Sequence, residues 1–209
     1  MTRLCIVRHG ETAWNAEHRV QGQLDVPLNE LGLRQAEAVA RALAGARFAA
    51  IYSSDLGRAR QTAEPAARRL AMPVVPERGL RERHYGIFET LTYAEVKAKF
   101  PEDYARFERR DPDFRFRSGE SLAGFGERSR RVVGEIAARH PGEDVLVFTH
   151  GGVLDEIYRF VTGMPVAAHR DFAIPNAGLN RVEAAPRGWR IVSWADIAHL
   201  EGALDDLPG

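Results

Sequence analysis

The chain has 209 residues, of which 44% are hydrophobic, and this length suits one compact domain because a single core can grow until roughly 250 to 300 residues. Its 29 basic residues balance its 29 acidic residues, so no bulk field draws it to nucleic acid or to an anionic membrane. No apolar run has the length of a signal sequence or of a membrane span. Residues 1–209 are therefore expected to form one soluble, cytoplasmic domain.

The single cysteine, Cys5, lies in an apolar run at residues 4–7. It has no partner for an internal disulfide, which fits a reducing compartment. A reactive thiol needs a partly exposed, electropositive setting, so we expect Cys5 to be a buried structural thiol.

The first predicted elements are a strand and a helix. Residues 4–7 have the pattern of a buried β-strand, which ends where a polar pair and Gly10 interrupt it. After a loop that contains Pro27, residues 29–43 place apolar side chains at helical spacing, and Gly45 follows as a stop signal.

The same unit of strand, polar end and helix recurs twice along the chain. Residues 48–52 form an apolar run that precedes a helical pattern over 56–70, and residues 144–148 precede a helical run over 153–161. Strands that alternate with helices predict a three-layer α/β/α fold with a mostly parallel central sheet.

Two further segments do not follow this unit. Residues 92–139 are rich in arginine, glutamate and aromatic residues, with helical patterns near 92–109 and 120–139, and they predict a helical excursion over one sheet edge. Near the end of the chain, residues 179–184 and 189–194 are rich in β-formers and are joined by a Pro-Arg-Gly turn. We expect them to form a C-terminal β-hairpin.

Polar side chains follow three of the predicted strands. Because ligands of open α/β sheets bind outside the carboxyl ends of the strands, Arg8 and His9, Arg58 and His150 are expected to converge on one crevice. Arginine presents a planar fork of donors that matches phosphate oxygens. A neutral imidazole can attack phosphorus, and a second, protonated one can bind the equatorial oxygens. A phosphate monoester is therefore the expected ligand.

The same reaction needs a proton donor for the leaving oxygen, and this group can later deprotonate an attacking water. Glu82 and Glu11 are the candidates. Glu82 is preferred because it follows the short apolar run at 73–76, in a loop that can reach the crevice. Glu11 is then expected to brace its own loop, and His84 to be a local hydrogen-bond partner.

Four motifs occur in order across most of the chain: Arg8-His9-Gly10-Glu11-Thr12, Trp14-Asn15, Ser53-Ser54-Asp55-Leu56-Gly57-Arg58-Ala59 and Thr149-His150-Gly151-Gly152. The tripeptide RHG alone is a modest signal. Four motifs in this order and spacing make coincidence improbable, and the chain resembles the histidine phosphatase superfamily, also called phosphoglycerate mutase-like.

The resemblance implies a covalent phosphohistidine at His9, held in a pocket of basic side chains, with Glu82 as acid and base. The catalytic residues that it implies are His9, Glu82, Arg8, Arg58 and His150. The residues that it implies for phosphate or substrate binding are Asn15, Gln21, Gly22 and Gly151. It implies no cofactor and no metal, and its partner is a small phosphomonoester.

The acceptor of the phosphoryl group separates two branches of this superfamily. Residues 82–86 resemble the bisphosphoglycerate-dependent mutases, whereas residues 87–89 and 117–121 resemble the phosphatases, and the longer insertion of those mutases is absent. We therefore favour a phosphomonoester hydrolase over the alternative of a phosphoglycerate mutase-type transferase. An alternative of another class is a catalytically silent phosphate-binding relative.

A metal-dependent hydrolase is a further alternative, which the resemblance disfavours because the family needs no metal. The histidines outside the motifs show no recognisable metal-ligand spacing and are expected in solvated or packing roles: His18, His140, His169 and His199. The terminal hairpin offers an edge strand, so a homodimer is compatible with the sequence, as is a monomer.

Specificity is expected to reside in residues 92–118, because the phosphate pocket is generic and the rest of the substrate must meet other walls. The aromatic candidates are Phe100, Tyr104, Phe107, Phe114 and Phe116. Packing is the expected role of Phe107. The arginine clusters at 109–110 and 128–131 are expected to be solvated helix faces.

Overall fold

The computed structural model describes residues 1–200, in which helices cover both faces of one six-stranded sheet. The strands are β1 (Thr2–Arg8), β2 (Ala50–Ser53), β3 (Val74–Pro76), β4 (Asp144–Thr149), β5 (Leu179–Ala185) and β6 (Gly188–Asp196). The α-helices are α1 (Ala13–Ala16), α2 (Glu30–Ala42), α3 (Gly57–Leu70), α4 (Tyr93–Lys99), α5 (Pro101–Glu108), α6 (Leu122–Arg139) and α7 (Gly151–Thr162). Within these residues, no helix is both long and apolar enough to cross a membrane.

The strands lie in the order β3-β2-β4-β1-β5-β6. The first four are parallel, whereas β5 runs antiparallel to β1, and β6 antiparallel to β5. The predicted mostly parallel sheet and C-terminal hairpin are confirmed. In the register, Arg8 lies opposite Thr149 and Ser53 opposite Phe148, so β1, β2 and β4 end at the same edge of the sheet.

Alternating side chains of the strands pack into two separate hydrophobic cores, one on each face of the sheet. Ile6 of β1 packs with Val147 and with Ile136 of α6, whereas its neighbour Val7 packs on the opposite face with Val39 of α2. This alternation follows from the two-residue period of a strand, and it requires a helical layer on each face. The predicted α/β/α layering is therefore realised, with α2 and α3 on one side and α6 and α7 on the other.

The helical excursion differs from its prediction in two ways. The pattern over 92–109 is divided into α4 and α5 at Phe100, because Pro101 disfavours helical backbone at the residue before it and begins a new helix instead. The second stretch, α6, is one of the layer helices. The excursion that remains is residues 92–121, called the cap below. It lies over the carboxyl end of β1 and not along an outer strand of the sheet, because Phe107 of the cap and Arg8 at the end of β1 line one cavity.

A third core, made largely of aromatic side chains, holds the cap together. Phe88 is its centre: the ring of Phe100 stacks at 6.1 Å between centroids, and those of Phe107 and Phe116 meet it edge-on at 6.0 and 4.8 Å. Phe114 is buried in the same cluster. The packing predicted for Phe107 is confirmed, but Phe107 also lines the large cavity described below.

Cys5 lies within β1 and is 6% exposed. Burial raises the pKa of its thiol to about 12, so the thiol stays protonated at neutral pH. The predicted buried, structural cysteine is confirmed.

Candidate active site

The sheet register brings the two motif histidines together. His9 follows β1, and its amide donates to the carbonyl of Thr149 at 2.9 Å. Ser54 follows β2, and its amide donates to the carbonyl of Phe148 at 2.9 Å. The rings of His9 and His150 lie 5.2 Å apart between centroids, inclined by 59°. The predicted convergence of the strand ends is thus observed for both histidines.

His9 is held as a neutral imidazole with one free ring nitrogen. Its Nδ1 lies 2.7 Å from the carbonyl oxygen of Gly10. A carbonyl can only accept, so Nδ1 carries the proton and Nε2 keeps its lone pair. Burial, and then the charges of Arg58 and Arg8, hold the pKa of His9 well below its usual 6.5.

The backbone around His9 is fixed from three directions. The amide of Gly10 donates to Thr62 Oγ1 at 2.9 Å, and Asn176 Nδ2 donates to the His9 carbonyl at 2.9 Å. A Cβ on Gly10 would lie 2.6 Å from the Gly32 carbonyl oxygen, so only glycine allows this approach to α2. The histidine is thus positioned by contacts distant in sequence.

His150 is fully buried, and its Nε2 lies 2.8 Å from Ser54 Oγ. Its Nδ1 has no hydrogen-bond partner within the described part of the chain. Burial, and then the charges of Arg58 and His9, lower the pKa of His150 well below 6.5. The imidazole expected to be protonated is therefore neutral in the protein itself, because two cations and a low-dielectric site oppose a third charge.

Two arginines supply the positive charge of the site. Arg58 is 1% exposed, and its Nη1 and Nη2 donate to the carbonyls of Leu24 and Gly22 at 2.8 and 2.7 Å. Burial lowers the pKa of Arg58 to about 10, so it remains charged at neutral pH. Arg8 Nη1 donates to the carbonyl of Ile174 at 2.5 Å. Among residues 1–200, neither Arg8 Nε nor Arg58 Nε has an acceptor, and both are buried.

Arg8, His9 and Arg58 line a cavity of about 100 Å³, called the small cavity below. His150, whose ring lies 5.2 Å from that of His9 between centroids, is not part of this lining. The lining includes seven of the residues that the sequence singled out: Arg8, His9, Asn15, Gln21, Gly22, Arg58 and Glu82. Asn15 Oδ1 accepts from the amide and hydroxyl of Thr12 at 3.1 and 3.0 Å, which leaves the NH₂ of Asn15 free to donate to a ligand. Gln21 Oε1 is buried and lacks a partner within the described residues.

Gly22 is required by its backbone as well as by space. Its φ is +54°, a left-handed conformation that favours glycine, and a Cβ there would lie 1.9 Å from Glu89 Oε1. Because the Gly22 carbonyl accepts from Arg58, the turn at Gly22 positions the guanidinium.

Glu82 lies where the small cavity meets its larger neighbour. Its Oε1 accepts from the amide of Arg83 at 2.7 Å, and its Oε2 from the amide of Gly152, in the first turn of α7, at 3.0 Å. Gly151, at the start of the same helix, lines the larger cavity with Glu82. Both carboxyl oxygens are therefore fixed by backbone donors beside the helix N-terminus.

The loop of Glu82 is held by Arg128, which sequence patterns placed on a solvated helix face. That prediction is wrong for Arg128: its Nη1 donates to the carbonyls of Gly79 and Arg81 at 2.7 and 2.9 Å, and its Nη2 to that of Glu82 at 3.3 Å. Glu120 completes the set with an ion pair at 2.8 Å. The partners of Arg128 lie up to 49 residues away, so no local pattern signals them.

Arg110 and Arg130 are also bound rather than solvated. Arg110 pairs with Asp155 at 2.6 Å, and Arg130 with Glu156 at 3.2 Å. These pairs join the cap and α6 to α7, since Asp155 and Glu156 are both buried on that helix.

A cavity of about 560 Å³, called the large cavity below, adjoins the small one. The two share Arg8, Glu82, Tyr85 and Tyr93 in their walls. The large cavity extends between the cap, α7 and the loop that follows α7. A ligand in the small cavity can therefore extend into the large one past Glu82.

Several other predicted roles are resolved by the contacts. Glu11 Oε1 accepts from Asn29 Nδ2 at 2.8 Å, which confirms that it braces its loop. His84 Nε2 lies 3.7 Å from Glu89 Oε1, which is beyond hydrogen-bond distance, so the hydrogen bond predicted for the His84 side chain is not observed within residues 1–200. Sequence reasoning gave no role to Ser54 or Asn176, although Ser54 lies inside a recognised motif.

The site combines a buried imidazole with a free nitrogen, two arginines whose buried Nε–H donors have no acceptor within residues 1–200, and a carboxyl between two cavities. Such a set is typical of an α/β enzyme that acts on phosphate through a histidine. The model of the family described as "Histidine phosphatase superfamily (branch 1)" matches residues 4–197. The chain belongs to this family.

Relatives extend this result. The chain is 42% identical over 203 residues to a metal-independent phosphoserine phosphatase of Arabidopsis thaliana. This alignment covers 96% of this chain and 84% of that protein. The chain is 35% identical over 214 residues to a probable phosphoglycerate mutase, GpmB, of Cronobacter sakazakii, which covers 99% of each.

Two solved structures share the fold. Bacillus stearothermophilus YhfR superposes with a TM-score of 0.90 at 31% identity, over 96% of this chain and 100% of that one. A mycobacterial glucosyl-3-phosphoglycerate phosphatase, Rv2419c, in complex with VO3, superposes with a TM-score of 0.83 at 34% identity, over 93% and 99%. The predicted membership, fold and phosphatase class are confirmed by these findings.

Proposed function

We propose that this protein hydrolyses a small phosphomonoester through a phosphohistidine at His9. The observation that carries the proposal is the neutral His9, whose Nε2 keeps its lone pair in a cavity that Arg8 and Arg58 also line. A nucleophile with a depressed pKa and two fixed cations is what attack on a phosphate dianion requires. Relatives with phosphatase activity in their names support hydrolysis as the outcome.

In the first step, His9 Nε2 attacks phosphorus, the P–N bond forms and the bond to the leaving oxygen breaks. Glu82 acts as the general acid and gives a proton to that oxygen, so the product leaves as an alcohol. Arg8, Arg58 and the amide of Asn15 stabilise the charge on the equatorial oxygens. His150 also donates to these oxygens, because Ser54 holds one ring nitrogen and leaves the other for the phosphoryl group.

In the second step, water attacks phosphorus from the side that the alcohol has left. Glu82 accepts a proton from this water, the P–N bond breaks, and inorganic phosphate leaves with His9 restored. One carboxyl serves both steps because Glu82 lies where the two cavities meet. The alcohol leaves past Glu82, and water enters past it.

We further propose that residues 1–209 act as one domain in the cytoplasm on a small-molecule substrate. Support comes from the single sheet, whose two helical layers share strands throughout the described residues. The homodimer stays a prediction.

The proposal is tested by measuring phosphate release from p-nitrophenyl phosphate and, separately, the fate of 3-phosphoglycerate with a trace of 2,3-bisphosphoglycerate. Hydrolysis predicts that free phosphate accumulates faster than 2-phosphoglycerate. Faster isomerisation would establish a mutase, and binding of phosphate without turnover at any pH from acidic to neutral would establish a silent relative.

Chelation separates this mechanism from metal-dependent hydrolysis. Among residues 1–200, no group of three or more histidine, cysteine, aspartate or glutamate side chains is placed to hold a metal ion. Full activity after treatment with EDTA is expected. Loss of activity that zinc or magnesium restores would contradict the phosphohistidine mechanism.

A further inference from the structure

One arginine of the large cavity has no partner among the residues that the structure describes. Arg170, in the loop between α7 and β5, is exposed and lines this cavity, and it makes no hydrogen bond or ion pair with any residue of 1–200. The other arginines that line it beyond the small cavity are engaged: Arg83 donates to the carbonyls of Phe114 and Glu120, each at 3.1 Å, and Arg110 pairs with Asp155. Arg170 is therefore the cation that remains available to a ligand.

The loop that carries Arg170 is fixed on both sides of it. Arg159, 2% exposed, donates to the carbonyls of Pro165 and Ala168 at 2.8 and 2.9 Å. On the other side, the ring of Phe172 stacks on Tyr158 with 3.7 Å between centroids. A charged side chain on a fixed backbone loses less conformational entropy when it binds a ligand than one on a mobile loop.

The charge of Arg170 reaches the small cavity. Burial is the largest cause that lowers the pKa of Arg8, Glu82 opposes it, and the charge of Arg170 is the next cause that lowers it. Two guanidinium groups therefore repel each other across the shared wall of the two cavities. A ligand with one anionic group beside Arg8 and another beside Arg170 relieves this repulsion.

We propose that Arg170 binds a second anionic group on the leaving-group side of the substrate, so that the preferred substrates are phosphomonoesters that also carry a carboxylate or a second phosphate. The inference rests on the proposed function, because it takes the small cavity as the phosphate site. It assigns Arg170 a specificity role, and the guanidinium fork suits either anion.

The test compares substrate pairs that differ only in the second anion. 3-Phosphoglycerate against glycerol 3-phosphate and phosphoserine against phosphoethanolamine report on the carboxylate, and glucose 1,6-bisphosphate against glucose 6-phosphate reports on a second phosphate. In the unmodified protein, kcat/KM is expected to favour the doubly anionic member of at least one pair. Arg170→Gln should reduce that preference by about 10- to 100-fold, the usual cost of losing a hydrogen bond to a charged group.

Two further variants complete the design. Arg170→Glu should reverse the preference between phosphoserine and phosphoethanolamine, because the new carboxylate repels the carboxylate that only phosphoserine carries. Arg187→Gln removes the same charge from the exposed turn before β6, outside the lining of both cavities. It should leave the kcat/KM ratio of every substrate pair within about twofold of that of the unmodified protein.

Failure of this inference is distinguishable from failure of the proposed function. If the unmodified protein releases phosphate from p-nitrophenyl phosphate but Arg170→Gln changes the kcat/KM ratio of no substrate pair, the specificity role of Arg170 is excluded and the proposed phosphatase activity is retained. If no substrate releases phosphate, the proposed function itself fails. Unchanged turnover of glycerol 3-phosphate by Arg170→Gln shows that the variant is folded.

Discussion

The small and the large cavity share a wall, yet they are built by different parts of the chain. In the small cavity, His9 directly follows β1 and Arg58 lies in the helix that follows β2, and both are at most 3% exposed. The large cavity is formed by the cap, α7 and a loop, and it includes exposed charges such as Glu108 and Arg170. The sheet topology therefore positions the groups for phosphoryl transfer, whereas segments outside the sheet contact the remainder of the substrate and determine specificity.

Electrostatics separates the two cavities in the same way. Burial lowers the pKa of His9 in the small cavity and of His150 beside it, so the positive charge of the small cavity comes from arginines whose Nε donors have no acceptor within the described residues. In the large cavity, Arg110 is neutralised by Asp155. The small cavity is therefore suited to an anion. In the lining of the large cavity, Arg170 is the arginine that makes no hydrogen bond or ion pair within residues 1–200.

The largest effect is expected from removal of the nucleophile. His9→Asn should lower phosphate release by about 1,000-fold or more, because no other imidazole of residues 1–200 lines the small cavity. The unmodified protein should form an acid-labile, base-stable phosphoprotein during turnover, and the variant should not. His18→Asn, which alters an exposed histidine, should retain both activity and phosphoprotein. A phosphoprotein in His9→Asn would contradict this assignment.

Removal of Arg58 should have the next largest effect. Arg58→Gln is expected to lower kcat/KM by about 100-fold, because it removes a charged donor at the phosphate and frees the carbonyls of Gly22 and Leu24. Thermal unfolding should also shift to lower temperature. Arg60→Gln, on the exposed side of the same helix, is the control. Equal kinetics in the two variants would exclude Arg58 from the site.

A smaller effect is expected from Arg128, which acts through the Glu82 loop rather than on the substrate. Arg128→Gln should lower kcat about tenfold with little change in KM, because a displaced carboxyl transfers its proton poorly. The pH dependence of kcat should shift, and Arg128→Lys should restore part of the rate. Arg131→Gln, which breaks an exposed pair with Glu135, should change neither. A purely structural role would lower the melting temperature without moving the pH profile.

The smallest effect concerns pH. The folded-state pKa values of His9 and His150 lie below the usual 6.5. Just below pH 6.5, these two histidines therefore bind protons in the unfolded chain but not in the folded protein. The free energy of unfolding, measured by urea titration, should therefore fall as the pH is lowered below about 6.5. His150→Asn should make this fall shallower between pH 6.5 and the lower pKa of the folded protein. An identical pH dependence in both proteins would contradict a neutral, buried His150.

The sequence allowed much of the sheet and of the small cavity to be predicted. Apolar runs of four or five residues marked β1, β2 and β4, and the rule that ligands bind beyond the carboxyl ends of strands directed attention to His9 and His150. Pattern reasoning failed in the cap, where Pro101 divided one predicted helix into two. It also failed at Arg110 and Arg128, because a charged helix face looks the same whether its partners are water or a distant carbonyl.

What the sequence by itself determined is the order of strands and helices and the motif residues that follow them, since both are encoded within short windows of the chain. Only the tertiary structure decided that Gly10 fixes the tautomer of His9, that Arg128 holds the loop of Glu82, and that Arg170 is left without a partner within residues 1–200. The physical reason is that hydrogen bonding, burial and charge depend on neighbours in space, and for these residues most of those neighbours are far away along the chain.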